Sequence, residues 1–210
     1  QLKPIYAKLR EIRQTRQQPD LDNKIITGWN GLMIETLALA AIAFDRKDYL
    51  ERAIDAAEFL LKKLRIDGDY LARIWIDGKA DTHAYLEDYA FLESACITLF
   101  EATHNRQWLM EAERLQLQVD SLFWDADQGG YYFNDGKDTT VTRIRKGYDG
   151  SLPSCSGVML QNLLRLYEDG GNDKWLARAR LIMAVYKNAM RSMPADYSTM
   201  IQAMLYLYRR

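Results

Sequence analysis

The sequence predicts an all-α protein, a partial α/α toroid of about four helical hairpins with short β excursions in its long loops. Three observations predict it. Nearly all-apolar helices alternate with amphipathic ones, so half of the helices should be hidden and half should face water. Each amphipathic helix opens with one phrase: Lys47-Asp48-Tyr49-Leu50-x-x-Ala53, Arg106-Gln107-Trp108-Leu109-x-x-Ala112 and Asp173-Lys174-Trp175-Leu176-x-x-Ala179. The spacing of about 60 residues is the mark of a repeat. Finally, the connections are asymmetric. Apolar-to-amphipathic turns are short, whereas the return links are long and rich in Trp, Tyr, Asp and Arg.

In order, Leu2 to Gln17 reads as a polar amphipathic helix with Ile5, Leu9 and Ile12 on one face. Pro4 sits in its first turn, where a missing N–H costs nothing. Residues 20–28 form a loop, and helix resumes near Trp29. From Leu32 to Phe44 only Glu35 and Thr36 are polar, so this helix is expected to be buried on every side. Tyr49 to Arg65 is amphipathic. Asp67-Gly68 and Asp77-Gly78 bracket a β-rich run, a short hairpin or extended excursion. Tyr85 to Thr103 is the second apolar helix, and Trp108 to Phe123 its amphipathic partner. Residues 124–154 make a second excursion. Ser156 to Tyr167 is apolar and ends at Gly170-Gly171. Lys174 to Met190 is amphipathic, and Pro194 opens a last apolar helix reaching about Tyr208.

The 210 residues suit one domain, 1–210, with a sizeable core. With 28 basic and 29 acidic residues, no basic stripe marks a nucleic-acid binder. The longest clean apolar run, Leu37 to Phe44, falls short of the roughly 20 residues of a membrane span, so no membrane partner is expected. Two cysteines, Cys96 and Cys155, make no disulfide framework and point to a reducing, cytoplasmic compartment. The opening at Gln1 suggests a piece of a longer protein. A closed toroid needs six hairpins, so completion by missing chain or self-association through open edges is expected.

All long links should lie on one face with the N-termini of the apolar helices. Those termini offer free N–H groups and positive dipole ends to polar ligands, and loops on a rigid scaffold are where sites are built. Trp29 and Asn30 at the first mouth are an aromatic beside an amide, suited to stacking on a sugar ring and bonding its hydroxyls. Their ordinary alternative is a packed Trp and a capping Asn. Asp22 and Lys24 read as a polar clamp or as a loop ion pair. Arg73 and Trp75 could reach over the cleft, with Tyr89 and Tyr148 as further binding groups. Glu87 and Asp88 open the second apolar helix. Asp88 or Glu87 poised against Asp149 would form the acid–base pair of glycoside hydrolysis, although carboxylates there also complement a helix dipole. Ser154 reads as an N-cap. Two unclustered histidines make no zinc site. Asp125-x-Asp127 lacks the acidic twelfth position of a calcium loop, where Gly136 stands. No metal and no cofactor is expected.

The phrases Asp22-Asn23-Lys24-Ile25-Ile26-Thr27-Gly28-Trp29-Asn30-Gly31-Leu32-Met33-Ile34, Tyr85-Leu86-Glu87-Asp88-Tyr89-Ala90-Phe91-Leu92 and Tyr148-Asp149-Gly150-Ser151-Leu152-Pro153-Ser154 carry a resemblance. They are joined by Asp67 to Gly78 and by Phe123-Trp124-Asp125 with Gly129-Gly130. Across its whole length the chain resembles the toroid region of the spermatogenesis-associated (DUF255) proteins, which carry an N-terminal thioredoxin-like domain. Asn23, Gly28 and the pair His83-Ala84 depart from that family's usual Asp, Ser and Gly. The resemblance implies a toroid similar to N-acylglucosamine 2-epimerases and six-hairpin glycosidases, and a sugar-like small-molecule ligand. Epimerases of that fold use histidine bases, for which His83, on the cleft face, is the candidate here. The other implied partner is the thioredoxin-like domain of full-length relatives, for which this toroid would be a non-catalytic docking module. That domain is absent here, and no C-x-x-C occurs.

Overall fold

The computed structural model describes residues 2–137 and 142–208. The helices are α1 (Leu2–Gln14), α2 (Thr27–Phe44), α3 (Lys47–Lys63), α4 (Leu86–Thr103), α5 (Arg106–Phe123), α6 (Cys155–Gly170), α7 (Asp173–Ser192) and α8 (Ser198–Tyr208). The strands are β1 (Ile25–Ile26), β2 (Arg65–Ile66), β3 (Tyr70–Ile76) and β4 (Lys79–His83). Neighbouring apolar helices pack side by side in the order α2, α4, α6, α8, and α3, α5 and α7 lie against α2, α4 and α6. This is a two-layered arc of an α/α toroid.

The repeated phrase explains the layering. Its alanines, Ala53, Ala112 and Ala179, are all completely buried, and Trp108 and Trp175 are nearly so. A methyl side chain at that point lets the outer helix close onto its inner partner. The short turns repeat as well. Asp45, His104 and Gly171 each end an inner helix in the left-handed conformation, with φ of 52°, 53° and 65°. Asn105 and Asn172 then cap α5 and α7 by accepting from the N–H of Gln107 and Lys174.

α4 is the centre of the arc, with 13 of its 18 residues buried. α2 departs from its expected burial on all sides: only six of its 18 residues are buried, and Trp29, Met33, Leu39, Ile42 and Phe44 are exposed. It stands at the open edge of the arc, so its apolar pattern outruns the partners in this chain. By length and composition α2 is also apolar enough to cross a membrane; here it packs along α3 and α4. Of the eight described helices, six pair into three hairpins. α8 has no outer partner among the described residues, and α1 buries none of its residues.

The first excursion folds into a small antiparallel sheet with β3 at its centre, paired with β1, β2 and β4. Asp77 and Gly78 (φ 50° and 80°) form its tight turn, as an Asp-Gly pair should. β1 was not expected from the sequence; Ile25 and Ile26 pair with Trp75 and Ile74 just before α2. In the second excursion the described residues show one isolated bridge, Trp124 to Tyr131, and residues 138–141 lie outside them.

Candidate functional site

The N-termini of α2, α4 and α6 and both excursions meet on one face. Asp88 is the tie between them. Its side chain is fully buried; Oδ1 accepts from the Gly28 N–H at 2.9 Å, and Oδ2 accepts from the Tyr85 N–H at 3.0 Å and Arg73 Nη1 at 2.8 Å. One carboxylate thus caps α4, holds the first turn of α2 against it and anchors β3. Burial raises its pKa to about 6, against the opposing pull of Arg73 and the two N–H donors.

Glu87, the next residue, points elsewhere because successive helical side chains lie about 100° apart. Its side chain keeps 16% of its surface exposed, with Oε1 3.0 Å from Arg73 Nη1 and Oε2 4.0 Å from Lys146 Nζ. Around it, Tyr85 and Phe133 stack with centroids 5.0 Å apart. The Arg73 guanidinium covers the outer face of Tyr85 at 4.9 Å, and Lys146 Nζ covers Phe133 at 3.7 Å. Phe133 is placed by its own backbone: its carbonyl accepts from the Leu86 N–H at 3.0 Å and its N–H donates to Ile144 at 2.7 Å. Trp29 follows Gly28, the residue whose N–H holds Asp88, and stays 58% exposed. The mouth is therefore one carboxylate between two cations with an aromatic stack, and the exposed indole belongs to the first turn of the adjoining helix α2.

Other expected site residues go elsewhere. Asp149 does not pair with Asp88. Its oxygens accept from the Ser154 N–H (2.8 Å), the Ser198 hydroxyl (2.9 Å) and the Thr199 N–H (2.9 Å), so it caps α8. Burial pushes its carboxyl up, but the bonds from Thr199, Ser154 and Ser198 outweigh this and hold it below its ordinary value. Tyr89 is a core residue; its hydroxyl accepts from the Leu71 N–H at 2.9 Å and its ring meets Phe123 edge-on. Trp75 packs edge-on against Phe59 of α3, 5.7 Å away. Asn30 donates to the Ile26 carbonyl at 2.9 Å and locks the strand-to-helix turn. Asp22 and Lys24 form an exposed ion pair at 3.2 Å. Tyr148 is exposed. His83 Nε2 lies 3.0 Å from Asp67 on the sheet.

Lys146, Tyr85 and Phe133 were missed by sequence reasoning. Lys146 and Phe133 lie in the second excursion, about 60 and 46 positions from Glu87, and no spacing rule links them to it. Cys155, also near Glu87 and Lys146, has its thiol pushed up to about 12 by burial, so it remains a neutral thiol. Among the described residues no group of three or more His, Cys, Asp or Glu side chains could hold a metal ion. Grooves of about 730 Å³ between α3 and α5 and about 630 Å³ between α7 and α8 lie away from this mouth.

No family model matches the chain. It is 32% identical over 209 residues to rat (Rattus norvegicus) spermatogenesis-associated protein 20, covering 94% of this chain and 26% of that protein. The human (Homo sapiens) counterpart is 31% identical over 208 residues, with the same coverage of 94% and 26%. The chain thus spans about a quarter of the length of these relatives. Among solved structures, a GH76 alpha-mannanase of Bacteroides thetaiotaomicron superposes with a TM-score of 0.67 at 19% identity, over 93% of this chain and 54% of that one. Cellobiose 2-epimerase from Spirochaeta thermophila gives 0.64 at 15% identity, over 89% and 55%. At such identities the likeness establishes the α/α toroid fold alone.

Proposed function

We propose, from the premise that the chain is a homologue of part of spermatogenesis-associated protein 20 folded as the toroid of GH76 hydrolases and sugar epimerases, that its mouth binds a sugar and acts on it by acid–base chemistry. The observation that carries this is Glu87: a partly exposed carboxylate between Arg73 and Lys146, with the exposed Trp29 in the first turn of the adjoining helix α2. A sugar ring stacks on the indole and its hydroxyls bond to Arg73, Lys146 and Glu87. Glu87 is the general acid–base group, and Asp88 is the positioning residue that holds Arg73 and the two helix starts. Because Asp88 and Asp149 spend their oxygens on the fold, a hydrolytic pair of carboxylates would need its second member from beyond this arc, whereas proton transfer by one group, as in isomerisation, needs only Glu87.

A second reading has its own observation: the exposed apolar side of α2 suits a docking module for a thioredoxin-like domain. The two buried free thiols accord with placing the protein in the cytoplasm. A thermal-shift panel of neutral and acidic mono- and disaccharides separates these readings. A bound sugar at about 100 times its Kd adds about 2.7 kcal/mol, a rise of about 5–10 °C. Glu87→Gln is expected to keep the binding and to lose 100-fold or more of any turnover, on the order of what an acid–base group contributes. No stabilisation by any sugar would leave docking as the function.

A further inference from the structure

Glu93 lies in the middle of α4, completely buried, and neither of its carboxyl oxygens meets a donor. The neighbouring elements turn most of their donors elsewhere. From α6, Asn162 donates one of its two amide N–H groups to the Ala90 carbonyl at 2.9 Å, and its own oxygen is buried and unpartnered. Arg165, also on α6, turns its guanidinium to Glu101 (2.8 and 3.0 Å), Ser94 and Thr98, with Glu35 of α2 3.6 Å away. From α5, Gln116 donates to Asp120 and to the Tyr131 hydroxyl, both at 3.1 Å, and its oxygen is likewise unpartnered. Tyr131 in turn donates to Asp120 at 2.7 Å. On α4 itself the Cys96 thiol lies one turn along, buried and neutral.

Two carboxyls share this seam and are not equivalent. Asp120 has its counter-ions, Lys174 Nζ at 3.2 Å and Arg178 Nε at 3.6 Å from α7. Glu93 has none at bonding distance, and Asn162 and Gln116 each leave a buried oxygen without a donor. An isolated buried carboxylate is among the costliest groups in a protein interior, while one added proton converts it into a donor for an orphan acceptor such as Asn162 Oδ1. We propose that Glu93 is a neutral carboxylic acid in the folded protein, and that this buried proton makes the arc a pH-responsive element whose stability declines as the solution becomes alkaline. Burial, then the charge of Asp120, holds its carboxyl well above the usual range, against the opposing pull of the remaining Asn162 N–H and of the Arg165 charge. The sign follows from linkage. The folded chain keeps a proton that the unfolded chain releases above a pH of about 4.3, so stability falls as pH rises from there towards the folded value.

Two measurements test this. Thermal unfolding of the protein and of Glu93→Gln at about pH 5 and about pH 8 should show the variant gaining on the natural chain as pH rises, with the gap widening by roughly 5 °C. A gap that is the same at both values, or that narrows, overturns the proposal. Infrared spectra with carbon-13 in the glutamate carboxyls should show a label-sensitive neutral-carboxyl band at about pH 7; labelling glutamate keeps Asp88 out of the signal. Absence of that band overturns the proposal even if the variant fails to fold.

Discussion

Asp88→Ala is expected to lose roughly 3 kcal/mol of folding stability in urea titrations, because two buried N–H groups and a guanidinium lose their acceptor together. Total stabilities of about 5–15 kcal/mol make that a large share. The losses fall on three elements at once: the Gly28 N–H on α2, the Tyr85 N–H ahead of α4 and Arg73 on β3. Amide exchange at Gly28 and Tyr85 should therefore accelerate far more than exchange in α6. The natural chain also carries a pH signature here. The Asp88 carboxyl titrates at about 6 rather than at its ordinary 3.8, so the folded protein retains a proton between these values. Stability falls as pH rises through that window, and the alanine variant lacks that part of the slope. A loss below about 1 kcal/mol would be no more than one ordinary hydrogen bond and would remove Asp88 as the tie.

Gly31→Ala is expected to cost about 1–3 kcal/mol, although alanine is intrinsically the better helix former by about 1 kcal/mol. A Cβ at Gly31 would stand 2.7–2.9 Å from the backbone of Phe91 and Leu92. Backbone of the buried α4 cannot swing aside as a side chain can, so α2 must move off and the Gly28–Asp88 bond must lengthen. Gly150 is the control: nothing lies within 4 Å of a Cβ there, and Gly150→Ala should change stability little. Denaturant midpoints of the two variants, compared at equal slope, check the prediction.

Much of the fold was legible in the sequence, and for physical reasons. The recurring aromatic-Leu-x-x-Ala phrase fixed the outer layer because its alanine is the point of closest approach. The Asp-Gly pairs marked turns because they tolerate positive φ. Legibility failed where a pattern does not say who the partner is. The all-apolar face of α2 reads as buried whether its partner lies in this chain or beyond it. Asp88 and Glu87 look alike in sequence, yet one helical step sends the first into the core and the second to the mouth. Asp149 carried the chemistry of a catalytic acid and serves as a cap, because its partners on α8 lie about 50 residues on. Phe133 reaches the site through its backbone bond to Leu86 at the start of α4, and Lys146 through the bonds its carbonyl accepts from Ser154 and Cys155 at the start of α6.

The central claim, a sugar site built on Glu87 and Trp29, is tested most directly by NMR titration of the isotope-labelled chain with the same saccharides. A sugar should shift the Trp29 indole N–H together with the backbone signals of Arg73, Glu87 and Lys146, and Trp29→Ala should abolish the response. Saccharides that leave these four residues unmoved, or that act only at the grooves between outer helices, would contradict it.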